Sequence, residues 1–193
     1  MSKVKIIITS VREQRKGDAI GHWFAGKAKQ HGKLDVELVD LKAVALPLFD
    51  EPNHPMRRQY THEHTKAWSR TIADGDAFVF VTPEYNHGMP PALLNAVDYL
   101  WHEWNYKPVA FVSYGGVSGG TRAVVQAQTT MLTVKAVPII EAVVLPFFPK
   151  QIKEDGTFDP GDTHDKDIGK MLDELARYAK ALAVLREIGR AHV

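Results

Sequence analysis

The chain has 193 residues, 45% of them hydrophobic and 24% charged, which suits one globular domain over 1–193 with a real core. Lys and Arg total 24 against 23 Asp and Glu, a formal net charge of +1, so bulk charge points to neither a nucleic-acid nor a membrane partner. There is no cysteine, which excludes a disulfide framework, a thiolate nucleophile and a cysteine-ligated metal.

Val4 to Thr9 is a β-branched run that reads as the first strand. A helix is expected over Asp18 to His31, with Ile20, Trp23, Phe24 and Ala28 on one face and Gly32 placed to end it. Val36 to Asp40 is a second strand. Leu46 to Met56 is a proline-punctuated loop, and a second helix is expected over about Thr61 to Ala73. Ala77 to Val81 is the third strand, stopped by Pro83. Pro90-Pro91 then opens a third helix expected to run to about Trp104. A fourth strand, Val109 to Ser113, leads through the glycine-rich stretch Tyr114 to Gly120 into a fourth helix, Thr121 to Thr133. Pro138 to Leu145 reads as a fifth strand and Phe147 to Gly161 as irregular. A last helix carries Ile168, Leu172, Leu175, Ala179 and Leu182 on one stripe, with Asp162, Asp165 and Asp167 near its positive end.

Strands alternating with helices predict an α/β fold, a parallel sheet covered on both faces. The right-handed crossover rule leaves few topologies, and the order 2-1-3-4-5 is one of them. Ligands then bind outside the carboxyl ends of the strands, so the loops after strands one, three and four border one crevice. The first loop, Thr9 to Asp18, is neither G-x-G-x-x-G nor a P-loop. It offers the Ser10 hydroxyl, the cations Arg12, Arg15 and Lys16, and a helix start at Gly17 and Asp18, which together suit a phosphate dianion. A solvated basic turn is the alternative. The loop Pro83-Glu84-Tyr85-Asn86 is stiffened by proline and suits a flat, hydrogen-bonding ring. The loop Ser113-Tyr114-Gly115-Gly116 lets backbone approach a ligand, or is a plain flexible connection.

Pro83-Glu84-Tyr85-Asn86, followed by Pro90-x-x-Leu93-x-Asn95-Ala96-x-Asp98, resembles the NAD(P)H-dependent FMN reductase family, and Ser10-x-Arg12 matches its phosphate loop. The resemblance implies a flavodoxin-like three-layer sandwich around a five-stranded parallel sheet. It implies FMN as cofactor, with NADPH or NADH as co-substrate and a small-molecule electron acceptor such as a flavin, quinone or azo compound. Ser10 and Arg12 would meet the phosphate. The N–H groups of Glu84 to Asn86 would face the flavin's N5, O4 and pyrimidine edge, and the glycine loop would lie against the ring. The family also implies a homodimer or homotetramer built on the third helix, where Leu93, Val97, Leu100, Trp101 and Trp104 read either as core or as interface. A flavodoxin-type electron carrier, or a flavin-binding redox sensor without turnover, is the alternative reading.

Other chemistries find little support. His62-Glu63-His64 places its histidines two apart, so on a helix they should diverge and share no metal. No nucleophile elbow occurs, and Ser10 and Ser113 lack an identifiable base. No side chain is assigned as a general acid or base. Without a signal-peptide pattern or a bilayer-length apolar run, the expectation is a soluble cytoplasmic protein.

Overall fold

The computed structural model describes residues 1–190. Strands β1 (Ser2–Ile8), β2 (Leu34–Asp40), β3 (Ala77–Pro83), β4 (Pro108–Gly115) and β5 (Val137–Pro146) pair in parallel in the order β2-β1-β3-β4-β5. The helices are α1 (Gly17–His31), a single turn α2 (Leu41–Val44), α3 (Glu63–Ala73), α4 (Pro91–Asp98), α5 (Thr121–Thr133) and α6 (Asp165–Arg190). The expected strand order and the covering of both sheet faces are therefore found, with most element ends within a few residues of expectation. None of the described helices is long and apolar enough to cross a membrane.

Strand alternation divides the core in two. Ala77, Val79 and Val81 of β3, with Ala110, Val112 and Tyr114 of β4, face α1 and α6. Phe78, Phe80, Val109 and Phe111 face the opposite layer, where Trp68, Leu93, Val97, Trp104 and Met131 pack on them. The edge strands β2 and β5 alternate buried and exposed positions, as half-covered strands do. The register aligns the strand ends: Ile8 lies beside Val81, Pro83 beside Tyr114, and Gly115 beside Pro146. Four carboxyl ends thus meet along one rim.

Two expectations about the middle of the chain are corrected. The helix after Pro90-Pro91 stops at Asp98, and a separate 3-10 turn covers His102–Trp104. The break lets Trp104 turn inward, fully buried, edge-on to Trp68 and Phe78. Leu93, Val97 and Leu100 are buried in the same layer, and Trp101 is partly buried with Lys135 over its ring. The apolar surplus that suggested an interface is therefore mostly internal. The second correction concerns His62 and His64, whose rings stack 5.1 Å apart instead of diverging. His62 is not helical; it sits before α3 in extended backbone, φ −85° and ψ 142°. Among the described residues no group of three or more such ligands is arranged for a metal.

The segment between α2 and α3 crosses the surface as a strap. Asn95 of α4 holds it from both sides, donating to Pro47 O at 2.7 Å and accepting from Phe49 N–H at 2.9 Å. Tyr99 Oη donates to Asp50 Oδ1 at 2.9 Å. Glu51 accepts the Thr61 and His62 N–H groups, at 2.7 and 3.0 Å, at the entry to α3.

Candidate active site

The aligned strand ends open into a cavity of about 490 Å³, within the ordinary range for a small-molecule site. Ser10, Arg12, Gln14, Arg15 and Lys16 line it from the loop after β1, and Pro83, Glu84 and Tyr85 from the loop after β3. Tyr114, Gly115 and Gly116 contribute from β4, and Phe147 to Lys150 from the stretch after β5. Gly17, Asp18, Asn86 and Ser113, expected at the site, do not line the cavity.

In the first loop the cations take separate partners. Arg15 is nearly buried and forms a two-pronged pair with Asp40, while also donating to Ser10 O at 2.8 Å. It therefore anchors the loop to the end of β2. Arg12 is exposed, makes no ion pair among the described residues, and lies 5.9 Å over the Tyr85 ring. Lys16, immediately before α1, is likewise exposed and without an ion pair among the described residues. The first-turn N–H groups of α1, which begins directly after Lys16, have no intrahelical acceptor. Gly17 is a packing requirement, because a Cβ there would lie 2.3 Å from the Tyr114 hydroxyl. Burial of that hydroxyl pushes the pKa of Tyr114 up.

The loop after β3 is a tight hairpin. Tyr85 and Gly88 exchange both backbone hydrogen bonds at 2.9 Å, and Asn86 and His87 adopt φ of 49° and 66°, the pattern of a two-residue mirror-image turn. The Tyr85 N–H is thus taken by Gly88 O, which corrects the expectation that all three N–H groups face a ligand. That of Asn86 has no partner among the described residues, whereas that of Glu84 adjoins the β3–β4 ladder at the Pro83–Tyr114 pair. Tyr85 Oη lies 2.6 Å from Ser10 Oγ, joining the first and second loops. The Glu84 carboxylate is tied to the neighbouring loop and accepts from Ser118 Oγ at 2.9 Å, Arg122 N–H at 3.2 Å and the Arg122 guanidinium at 2.6 Å. Burial alone would raise its pKa; these donors outweigh it and hold the carboxyl below its ordinary range.

Gly88 is a packing requirement of the hairpin. Its missing side chain does not mark an open ligand face, since a Cβ would meet Gln126 Oε1 at 2.8 Å, the atom that accepts the Met89 N–H. At Gly116, by contrast, an added Cβ would meet nothing within 4 Å. Ser113 fails for a simple reason. Tyr114 points toward α1, so its neighbour points under α5, and the Ser113 hydroxyl is buried there without a partner among the described residues.

The stretch after β5 was missed. The sequence showed only irregular structure there, but β5 ends on the same rim, and that topology was the available signal. Phe148 packs edge-on against Tyr114 at 5.0 Å, and Phe147 exposes half its ring. The residues present fit a flat heterocycle bearing a phosphate: unpaired cations beside a helix start, a free Asn86 N–H on a rigid hairpin, and open space at Gly116.

A family model described as NADPH-dependent FMN reductase matches residues 2–150. The NAD(P)H-dependent FMN reductase of Schizosaccharomyces pombe is 38% identical over 181 residues, 92% of this chain and 89% of its own. An NADPH azoreductase of Bacillus sp. is 30% identical over 155 residues, 79% of this chain and 80% of its own. Among solved structures, the flavoenzyme NAD(P)H:(acceptor) oxidoreductase FerB of Paracoccus denitrificans shares the fold, with TM-score 0.76 at 20% identity over 94% of this chain and 98% of its own. The rim of strand ends, read with these matches, leads to one conclusion: the chain belongs to the NADPH-dependent FMN reductase family, on a flavodoxin-like fold.

Proposed function

We propose that the chain binds FMN along the ends of β1, β3 and β4 and reduces a small-molecule acceptor of quinone or azo type with NAD(P)H. FMN, when bound, supplies the hydride relay between the two substrates. The single observation that carries the reading is that unpaired Arg12 and Lys16, the Pro83 to Tyr85 segment and the glycines Gly115 and Gly116 line one cavity at the strand ends.

Arg12, Lys16 and the first-turn N–H groups of α1 would hold the phosphate. Arg15 positions that loop from behind through Asp40 and the Ser10 carbonyl. The Asn86 N–H group would donate to the polar edge of the ring. Fixed donors of this kind favour negative charge where it develops. Gly115 and Gly116 allow the ring to lie close to backbone. No side chain is assigned a proton-transfer role.

A homodimer is part of the same proposal. Leu48, 83% exposed, lies on the strap that Asn95 ties to α4, next to half-exposed Phe49 and Leu94. Such a patch supports self-association better than the buried residues of the expected third helix do. The cytoplasm is the location proposed.

The test is the absorption spectrum of the purified protein, followed by NAD(P)H addition without air. A flavin spectrum that bleaches on NAD(P)H and returns on adding a quinone is expected. Protein that takes up no FMN at micromolar concentration would overturn the reading.

A further inference from the structure

Phe147 holds a backbone conformation that its size disfavours. Its φ is 50° and ψ 31°, in the left-handed region that bulky side chains adopt only at a cost. The conformation is held by a hydrogen bond from its N–H to Gly116 O at 3.1 Å. Packing does little to offset that cost. The ring is 49% exposed and pairs with no other aromatic ring among the described residues, whereas the next residue, Phe148, packs on Tyr114. The Lys150 ammonium lies 5.5 Å from the Phe147 ring centroid, and its side chain is exposed and forms no ion pair among the described residues. Both residues line the cavity, separated along the rim from Arg12 and Lys16 by the ends of β3 and β4.

A strained ring kept exposed, with an unpaired ammonium beside it, suits a ligand that offers a flat base and a phosphate. Arg12 and Lys16 already serve the phosphate proposed for FMN, so Lys150 is free for a second anion. The reaction's other substrate has this chemistry. A nicotinamide dinucleotide carries two bases and a pyrophosphate, and NADPH adds a 2′-phosphate. We propose that Phe147 and Lys150 form the docking subsite for NAD(P)H, the ring stacking on a base and Lys150 taking a phosphate. The inference rests on the proposed reductase reading for its choice of ligand.

The test uses FMN-saturated protein and the variants Lys150→Ala, Lys150→Glu and Phe147→Gly. NADP⁺ and NAD⁺ are titrated calorimetrically, and FMN affinity is followed separately by flavin fluorescence. Lys150→Ala should weaken dinucleotide binding about five- to tenfold and Lys150→Glu more, with FMN affinity within about twofold of wild type. Loss confined to NADP⁺ assigns Lys150 to the 2′-phosphate, and equal loss assigns it to the pyrophosphate; both support the subsite. Phe147→Gly relieves the left-handed strain, so its Tm should equal or exceed wild type while both dinucleotides bind less tightly. Dinucleotide binding unchanged in Lys150→Ala and Phe147→Gly would overturn the proposal. So would variants that lose FMN in place of the dinucleotide, or a Phe147→Gly protein that melts earlier yet binds normally. Wild-type protein unable to bind FMN would instead sink the reductase reading, and NADP⁺ titrated against that protein would still report on Lys150.

Discussion

Arg12 and Arg15 are three residues apart and chemically alike, yet they have different surroundings. Arg12 is exposed over Tyr85, whereas Arg15 is committed to Asp40 and the Ser10 carbonyl. Arg12→Ala should weaken FMN binding by about 1.5–3 kcal/mol, the scale of a hydrogen bond to a charged group, and leave folding stability nearly unchanged. Riboflavin, which has no phosphate, should lose much less. Fluorescence titration of both ligands decides this, and equal losses would remove Arg12 from the phosphate. Arg15→Ala should act the other way round. It leaves Asp40, which caps α2 through the Lys42 N–H, without its cation. A loss of about 1–2 kcal/mol in urea unfolding is expected, intermediate between an exposed pair and a charged hydrogen bond. Ser10-x-Arg12 was readable as a motif. The division of labour between the arginines was not, because Asp40 is remote in sequence and arrives only through β1–β2 pairing.

The hairpin after β3 and the turn before α5 act as one unit through Glu84. Its carboxylate is 8% exposed and accepts three hydrogen bonds from Ser118 and Arg122. Because its folded-state pKa lies below the ordinary 4.5, its contribution is fully present above that value and is lost as pH falls through the lower folded value. Glu84→Gln should therefore cost about 1.5–3 kcal/mol at neutral pH and flatten the acid limb of the stability curve below pH ~4.5. Urea unfolding from acid to neutral pH is the measurement. A wild-type-to-variant gap that stays constant across that range would show that Glu84 is not the group titrating. The sequence marks Glu84 as part of the resemblance, but nothing local tells whether its side chain faces the ligand or the neighbouring loop. Likewise, the sequence pattern extended the third helix to Trp104, and burial of that indole ends it early.

At the scale of the whole molecule, three exposed apolar residues, Leu48, Phe49 and Leu94, share the strap and α4. Light scattering at micromolar concentration should report a dimer. Leu48→Asp combined with Leu94→Asp should shift it toward monomer, since each buried leucine is worth roughly 1.5–3 kcal/mol. A wild-type monomer with FMN bound would contradict the assignment. A flavin face shared by both substrates would also constrain the cycle. NAD(P)⁺ must leave before the acceptor enters, so double-reciprocal plots with a quinone should be parallel. Intersecting lines would point to a second substrate entry. Acceptor discrimination should be modest, because a glycine wall selects by shape and stacking more than by hydrogen bonds.

The chain alone determined the architecture. β-branched runs spaced by amphipathic segments leave few sheets to choose from, and the rule that ligands sit at strand ends located three of the four rim loops. Pro83 to Asn86 and Ser10-x-Arg12 carried the family resemblance, and the resemblance implied the chemistry. Only the tertiary structure decided which atoms face the cavity. Ser113 lost its place to strand alternation and the Tyr85 N–H to Gly88, while the Glu84 carboxylate is taken by Ser118 and Arg122. It also brought Phe147 and Lys150 to the rim through the pairing of β4 with β5. The physical reason is common to all of these: side-chain direction and partner choice depend on contacts between segments far apart in the chain, and local sequence pattern does not encode those contacts.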